Sequence, residues 1–261
     1  MKLDVATFNA LCLITFFCSA VVSTALSWMF ARAVAFRFWA AAFFLMSAAA
    51  ACLAAHSQSD SRALLVATAT FSLQARIFLW NGTRVLFGSH VSLPAGFAVS
   101  ALFCVLFSLA QYFDASPLCR AALITLFFFP FRALTLYEVC RRRRPDLGPA
   151  RVLVVCASVI TTLAAVLPLA LVLTRRNDLA LLLSDAPTTS PLYAIVFAAD
   201  LLLVICLMMM ALQHLFVEQG ILSHLDKGAA RRSNPGRAAP GTENGIGCFE
   251  EPEARPSLPS A

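Results

Sequence analysis

Seven stretches of this sequence, 7–31, 34–55, 64–87, 92–113, 116–139, 150–173 and 190–217, are nearly unbroken apolar runs bounded by charged or turn-forming residues. A bilayer core about 30 Å thick is crossed by about 20 helical residues at roughly 1.5 Å rise each, so each run is long enough to span it. Backbone amides inside lipid must satisfy one another, which leaves helices or the strands of a closed barrel. Barrel strands alternate polar and apolar residues, and these runs do not. The sequence therefore predicts an all-α fold, a polytopic membrane helical bundle of about seven transmembrane helices over 1–227. The last helix is expected to continue inward through Gln213, Glu218 and His224 to about Lys227. From Gly228 to Ala261 the chain is rich in Gly, Pro, Ala, Arg and Glu and has too little apolar surface to offset chain entropy, so a disordered cytoplasmic tail is expected there.

Composition agrees with a lipid environment. Hydrophobic residues make up 60% of the chain and charged ones 13%, against roughly 45–50% and about 25% in soluble domains. The first run has Lys2 ahead of it and Ser23 and Ala25 near a conceivable cut site, but it is longer than a signal-peptide core and further spans follow, so it reads as a retained helix. The expected partner is the bilayer. The net charge of +6 points to basic loops on the cytoplasmic side rather than to nucleic acid.

Those basic residues also set the orientation. With the N-terminus outside, the inner segments hold Arg32, Arg37, Arg84, Arg141, Arg142, Arg143, Arg144, Arg151, Lys227, Arg231, Arg232 and Arg237. The outer segments hold only Lys2, Arg62, Arg120, Arg175 and Arg176. The bias predicts an inner-membrane protein with its N-terminus outside and its C-terminus in the cytoplasm, Arg141 to Arg144 acting as a topology anchor.

Within the spans three ionisable residues stand out: Arg76, Arg132 and Asp200. A charge at the bilayer centre costs roughly 2.5–3.5 kcal/mol on insertion scales, so each needs a partner or a use. Arg76 lies about twelve residues into the third run and Asp200 about ten into the seventh, at similar depth in two spans of the same direction. An Arg76–Asp200 pair is the economical expectation, as a packing element or as a ligand or proton site. Arg132 follows Pro130 and lies nearer the inner face, where it is expected to snorkel to the headgroups. The third run is the most polar, with Gln74, Asn81 and Thr83 beside Arg76, Trp80 and Arg84, the last three spaced by four on one helical face. That face should point into the bundle, to line a ligand cavity or to bond between helices. The sequon Asn81-Gly82-Thr83 lies within a span and is read as chance.

No enzyme is expected. The nine cysteines are scattered with no C-x-x-C, which leaves zinc and redox motifs unsupported. A retinal Schiff base needs a lysine inside a span, and the lysines are Lys2 and Lys227; haem needs facing histidines in the membrane, and His56, His90, His214 and His224 lie at span ends or beyond. Neither a cofactor nor a metal is expected. A small transporter or channel-like protein, with Arg76 and Asp200 along a substrate path, is the alternative, although no repeated halves are visible.

The segment Trp80-Asn81-Gly82-Thr83-Arg84 followed by Phe87-Gly88 resembles a pattern in the N-terminal membrane region of bacterial GGDEF diguanylate cyclases. The resemblance covers roughly residues 5 to 225 and includes the basic loop before the sixth span and the inward continuation of the seventh. It implies a sensor-like, regulatory signal-input module that acts through its last helix, with a homodimer or a cytoplasmic signalling partner engaged through residues 213–227. The chain departs from the family after Leu225-Asp226, where the D-x-L-T-G-x-x-N-R segment and the GGDEF motif are not found. Cyclase activity is thus not implied, and the expectation is an input module without its output domain, a truncated or decayed member.

Overall fold

The computed structural model describes residues 5–30, 33–59, 61–141, 148–174, 198–213 and 216. All of them lie within one compact unit, Met1–Val217. Among the described residues seven helices follow in chain order: α1 (Val5–Met29), α2 (Ala35–Ser59), α3 (Arg62–Leu86), α4 (Leu93–Tyr112), α5 (Pro117–Arg141), α6 (Gly148–Thr174) and α7 (Ala198–Gln213). Helices α1 to α5 are long and apolar enough to cross a membrane, whereas the apolar stretches Arg151–Val166 of α6 and Ala198–Gln213 are shorter. Positions 190–197, most of 213–227, Arg142 to Arg144 and the expected tail fall outside the described residues.

The distribution of side chains inverts that of a water-soluble protein. Arg76, Arg132 and Asp200 are buried, while Leu126, Leu163, Ile205 and Val105 are exposed on the helix exteriors. Water would penalise that arrangement on both counts, and hydrocarbon favours it: lipid accepts the apolar exterior, and the interior is where charges find partners. The chain forms a polytopic membrane helical bundle. Trp28, Tyr112 and Phe113 are exposed at helix ends, where aromatic rings meet the membrane interface.

Helix ends differ from the expected bounds where local chemistry extends or stops a turn. The α2 helix continues past Ala55 to Ser59, and His56 Nδ1 lies 3.0 Å from the Ser61 carbonyl oxygen. At the end of α3, the Ser89 amide donates to the Arg84 carbonyl and the Gly88 amide to that of Val85, with Gly88 at φ +72°. This is the Schellman arrangement, which needs a left-handed residue after the helix and so favours glycine there. Asp114 takes the same role after α4 at φ +46°, and the Ala115 amide donates to the Ala110 carbonyl. Asp114 also pairs with Arg62 at 3.2 Å on the surface, a contact worth little on its own.

Helix α2 packs against both α1 and α3, and α3 also contacts α4 and α5, with α6 against α5. One apolar cluster joins Phe16 of α1, Phe36 and Phe43 of α2, Leu79 of α3, Val154 of α6 and Leu203 and Leu207 of α7. A second joins Leu73 and Ile77 of α3 to Phe103 and Phe107 of α4, with Phe127 and Phe128 of α5 packed on it. Small residues let the backbones approach. Gly96 of α4 lies against Ile77, and Gly82 of α3 lies against the Trp39 indole, whose Nε1–H donates to the Leu79 carbonyl at 3.4 Å. Ser47 donates to the Leu13 carbonyl at 3.4 Å, tying α2 to α1, while the Thr68 hydroxyl donates within α3 to the Leu64 carbonyl at 2.8 Å and lies 3.4 Å from that of Ala49 on α2.

Candidate functional site

Between the two apolar clusters lies a knot of charge. Arg76 of α3 donates through Nη2 to Oδ2 of Asp200 on α7. Arg132 of α5 places its Nη2 3.6 Å from the other carboxylate oxygen, Oδ1, and its Nη1 donates to the Thr161 carbonyl of α6. Three helices thus meet at one carboxylate, and Arg132 ties in a fourth, α6. Arg76 and Arg132 each lie within about one turn of the middle of their helices, which places the knot far from either end of the spans.

The expectation for Arg132 is corrected here. Its side chain does not reach toward the headgroups but is only 8% exposed, turned into the bundle toward Asp200 and Thr161. An arginine at mid-span can snorkel only when its stem reaches the interface, whereas an acid within ion-pair distance removes much of the cost of staying inside. The carboxylate serves two guanidinium groups, so the knot keeps one positive charge in excess.

The polar residues of α3 divide between two sides. Trp80 and Arg84 continue the face of Arg76 along α5: the Trp80 ring lies 5.7 Å from that of Phe131, Arg84 stands over the Trp80 ring at 5.0 Å, and Arg84 Nε lies 3.7 Å from Glu138 Oε1. These contacts advance together along both chains, so α3 and α5 run parallel. Gln74 and Asn81, seven residues apart, share a different face, about 150° round the helix from Arg76. Gln74 accepts a hydrogen bond from the Ser100 hydroxyl of α4 at 2.5 Å. Asn81 is fully buried, which keeps its sequon amide from any modifying enzyme.

Sequence reasoning missed Glu138, Ser100 and the Thr161 carbonyl. Glu138 lies close to a span end, where an acid is unremarkable, although it is an acidic residue inside an apolar run and that was the available signal. Ser100 is one of many small polar residues, and a backbone carbonyl leaves no mark on a sequence at all.

Several buried polar atoms in this region have no protein partner: Arg76 Nε and Nη1, Arg132 Nε, Trp80 Nε1, Gln74 Nε2 and Ser158 Oγ. Arg76, Arg132 and Ser158 line one small cavity, with Thr135 and Thr161 beside them and Leu79, Phe131 and Leu203 as apolar wall. It has room for about one water molecule. Among the described residues no group of three or more histidine, cysteine or acidic side chains could hold a metal ion. Compared with known proteins, the chain matches no family model, no curated protein and no solved structure.

Proposed function

We propose that this protein is a signal-input module of a bacterial inner membrane, with its N-terminus outside and its C-terminus in the cytoplasm. The observation that carries the reading is the sharing of Asp200 by Arg76 and Arg132. The carboxylate is on the last described helix of the bundle, and both its partners are on helices nearer the centre of the chain. A signal that changes charge or occupancy at that point favours one packing of α7 against α3 and α5 over another. The chain beyond α7, residues 213–227, would carry that shift to a second copy or to a cytoplasmic signalling partner. The resemblance of Trp80-Asn81-Gly82-Thr83-Arg84 to the membrane region of diguanylate cyclases supports the same direction of signal flow. A transport path through the same charges is less well supported, because the space beside them holds about one water molecule.

A chimera tests the proposal. A diguanylate cyclase catalytic domain is joined after residue 227, and cyclic di-GMP is measured in cells at matched membrane levels of wild type and Asp200→Asn. The expected result is a change in output of at least about threefold with the substitution. Equal output at equal levels would remove α7 as a signalling element.

A further inference from the structure

The charges at the centre of the bundle do not cancel. Arg76 and Arg132 contribute two positive charges and Asp200 one negative, while Glu138, which is only partly buried, faces Arg84. A water molecule in the adjoining cavity could accept the free N–H bonds but would leave the excess charge in a medium of low dielectric. A cation would add to it. The groups that line the space and lack protein partners, Arg76 Nε and Nη1, Arg132 Nε and Ser158 Oγ, can all donate hydrogen bonds. Leu79, Phe131 and Leu203 supply the remaining wall.

We propose that this cavity binds one small monovalent inorganic anion of the chloride class, held by the Arg76 and Arg132 guanidinium groups and the Ser158 hydroxyl. Charge sets the valence, since one negative charge brings the knot to neutrality and two would reverse it. Size and wall chemistry set the class: the space takes a body close to water in size, and its apolar side favours an ion that sheds its hydration readily. Two guanidinium groups and a hydroxyl form a set of charge-assisted donors. Thr161, whose hydroxyl donates to the Ser158 carbonyl at 3.0 Å, helps fix that stretch of α6. The site requires the bundle alone and does not depend on the signalling role proposed above.

The test uses the full chain in detergent, with sodium chloride as probe and gluconate replacing chloride at constant ionic strength. In the wild type, chloride is expected to raise the unfolding midpoint saturably, by about 5–10 °C at roughly one hundred times its dissociation constant. It is also expected to give a broadened chlorine NMR line that bromide narrows by competition. Arg132→Gln makes the knot neutral without an anion and should abolish both effects, whereas Arg132→Lys, which keeps the charge, should retain the broadening. A response that rises without saturation in the wild type, or that is equal in Arg132→Gln, is a general salt effect and overturns the proposal. Should Arg132→Gln fail to fold, Ser158→Ala removes a donor without touching the charges, and an unchanged chloride affinity in that variant overturns the proposal as well. None of these readouts involves cyclic di-GMP, so a failed chimera and a failed anion site are separate results.

Discussion

The indole of Trp39 occupies the space that a side chain at position 82 would need. A Cβ built on Gly82 would overlap the indole Nε1 and Cδ1 atoms and lie 3.2 Å from the Ala35 carbonyl oxygen. Trp39 is fully buried and bonded to the Leu79 carbonyl, so it has little room to yield.

Gly82→Ala is therefore expected to destabilise the bundle by about 1–3 kcal/mol, the usual range for overpacking. Trp39→Phe makes room at the cost of its own hydrogen bond. The double variant Gly82→Ala, Trp39→Phe should then lose less than the sum of the two single losses. Detergent-denaturant titrations of the four proteins measure the coupling, and strict additivity would show that the two positions do not compete for the same volume.

The three charges of the knot are not equivalent. Asp200→Ala leaves two buried arginines without an acid and is expected to cost about 3–5 kcal/mol, the range for an unpaired buried charge. Arg76→Ala leaves Arg132 facing Asp200, a neutral pair, and should cost about 1–2 kcal/mol, nearer to single polar contacts within membranes. Folded yield at equal expression ranks the two variants. An Arg76→Ala loss equal to or larger than that of Asp200→Ala would contradict the sharing of the carboxylate.

The Gln74–Ser100 bond behaves oppositely when one or both partners change. Ser100→Ala removes the donor to Gln74 Oε1, and Gln74 Nε2 already lacks a protein acceptor. The expected loss is about 1–3 kcal/mol, the desolvation cost of a stranded buried group. Adding Gln74→Leu to Ser100→Ala removes the stranded amide as well and should restore most of that stability. Thermal unfolding in one detergent decides the matter.

Arg84 rests on Trp80 and faces Glu138, and a lysine can keep only the charge of that double contact. Arg84→Lys is expected to cost about 0.5–1 kcal/mol through the lost stacking on the ring. In a Trp80→Leu background the same change should cost measurably less, as a double-mutant cycle would record.

Much of the architecture was legible because it depends on counts that survive any detail of packing. A run such as 92–113 must be a helix if it lies in lipid, and α4 spans Leu93–Tyr112. Arg76 and Asp200 were legible for a related reason, since an ionisable group in an apolar run is rare and two of opposite sign at one depth restrict each other. Arg132 was not legible. Its sequence neighbourhood fits a snorkelling residue equally well, and the choice depends on Asp200, 68 positions later in the chain, and on a carbonyl of α6. The two faces of α3 were visible as periodicity, but a periodicity does not say that Ser100 meets one face and Glu138 the other.

The ties among α1, α2 and α3 share one chemical trait: Trp39 and Ser47 both donate to main-chain oxygens, those of Leu79 and Leu13. A main-chain oxygen is present whatever residue bears it. Evolution can therefore exchange Leu79 or Leu13 for any side chain of suitable bulk without losing the tie, while the donors have no such freedom. Drift along this part of the chain should consequently be one-sided, permissive at the accepting positions and narrow at the giving ones.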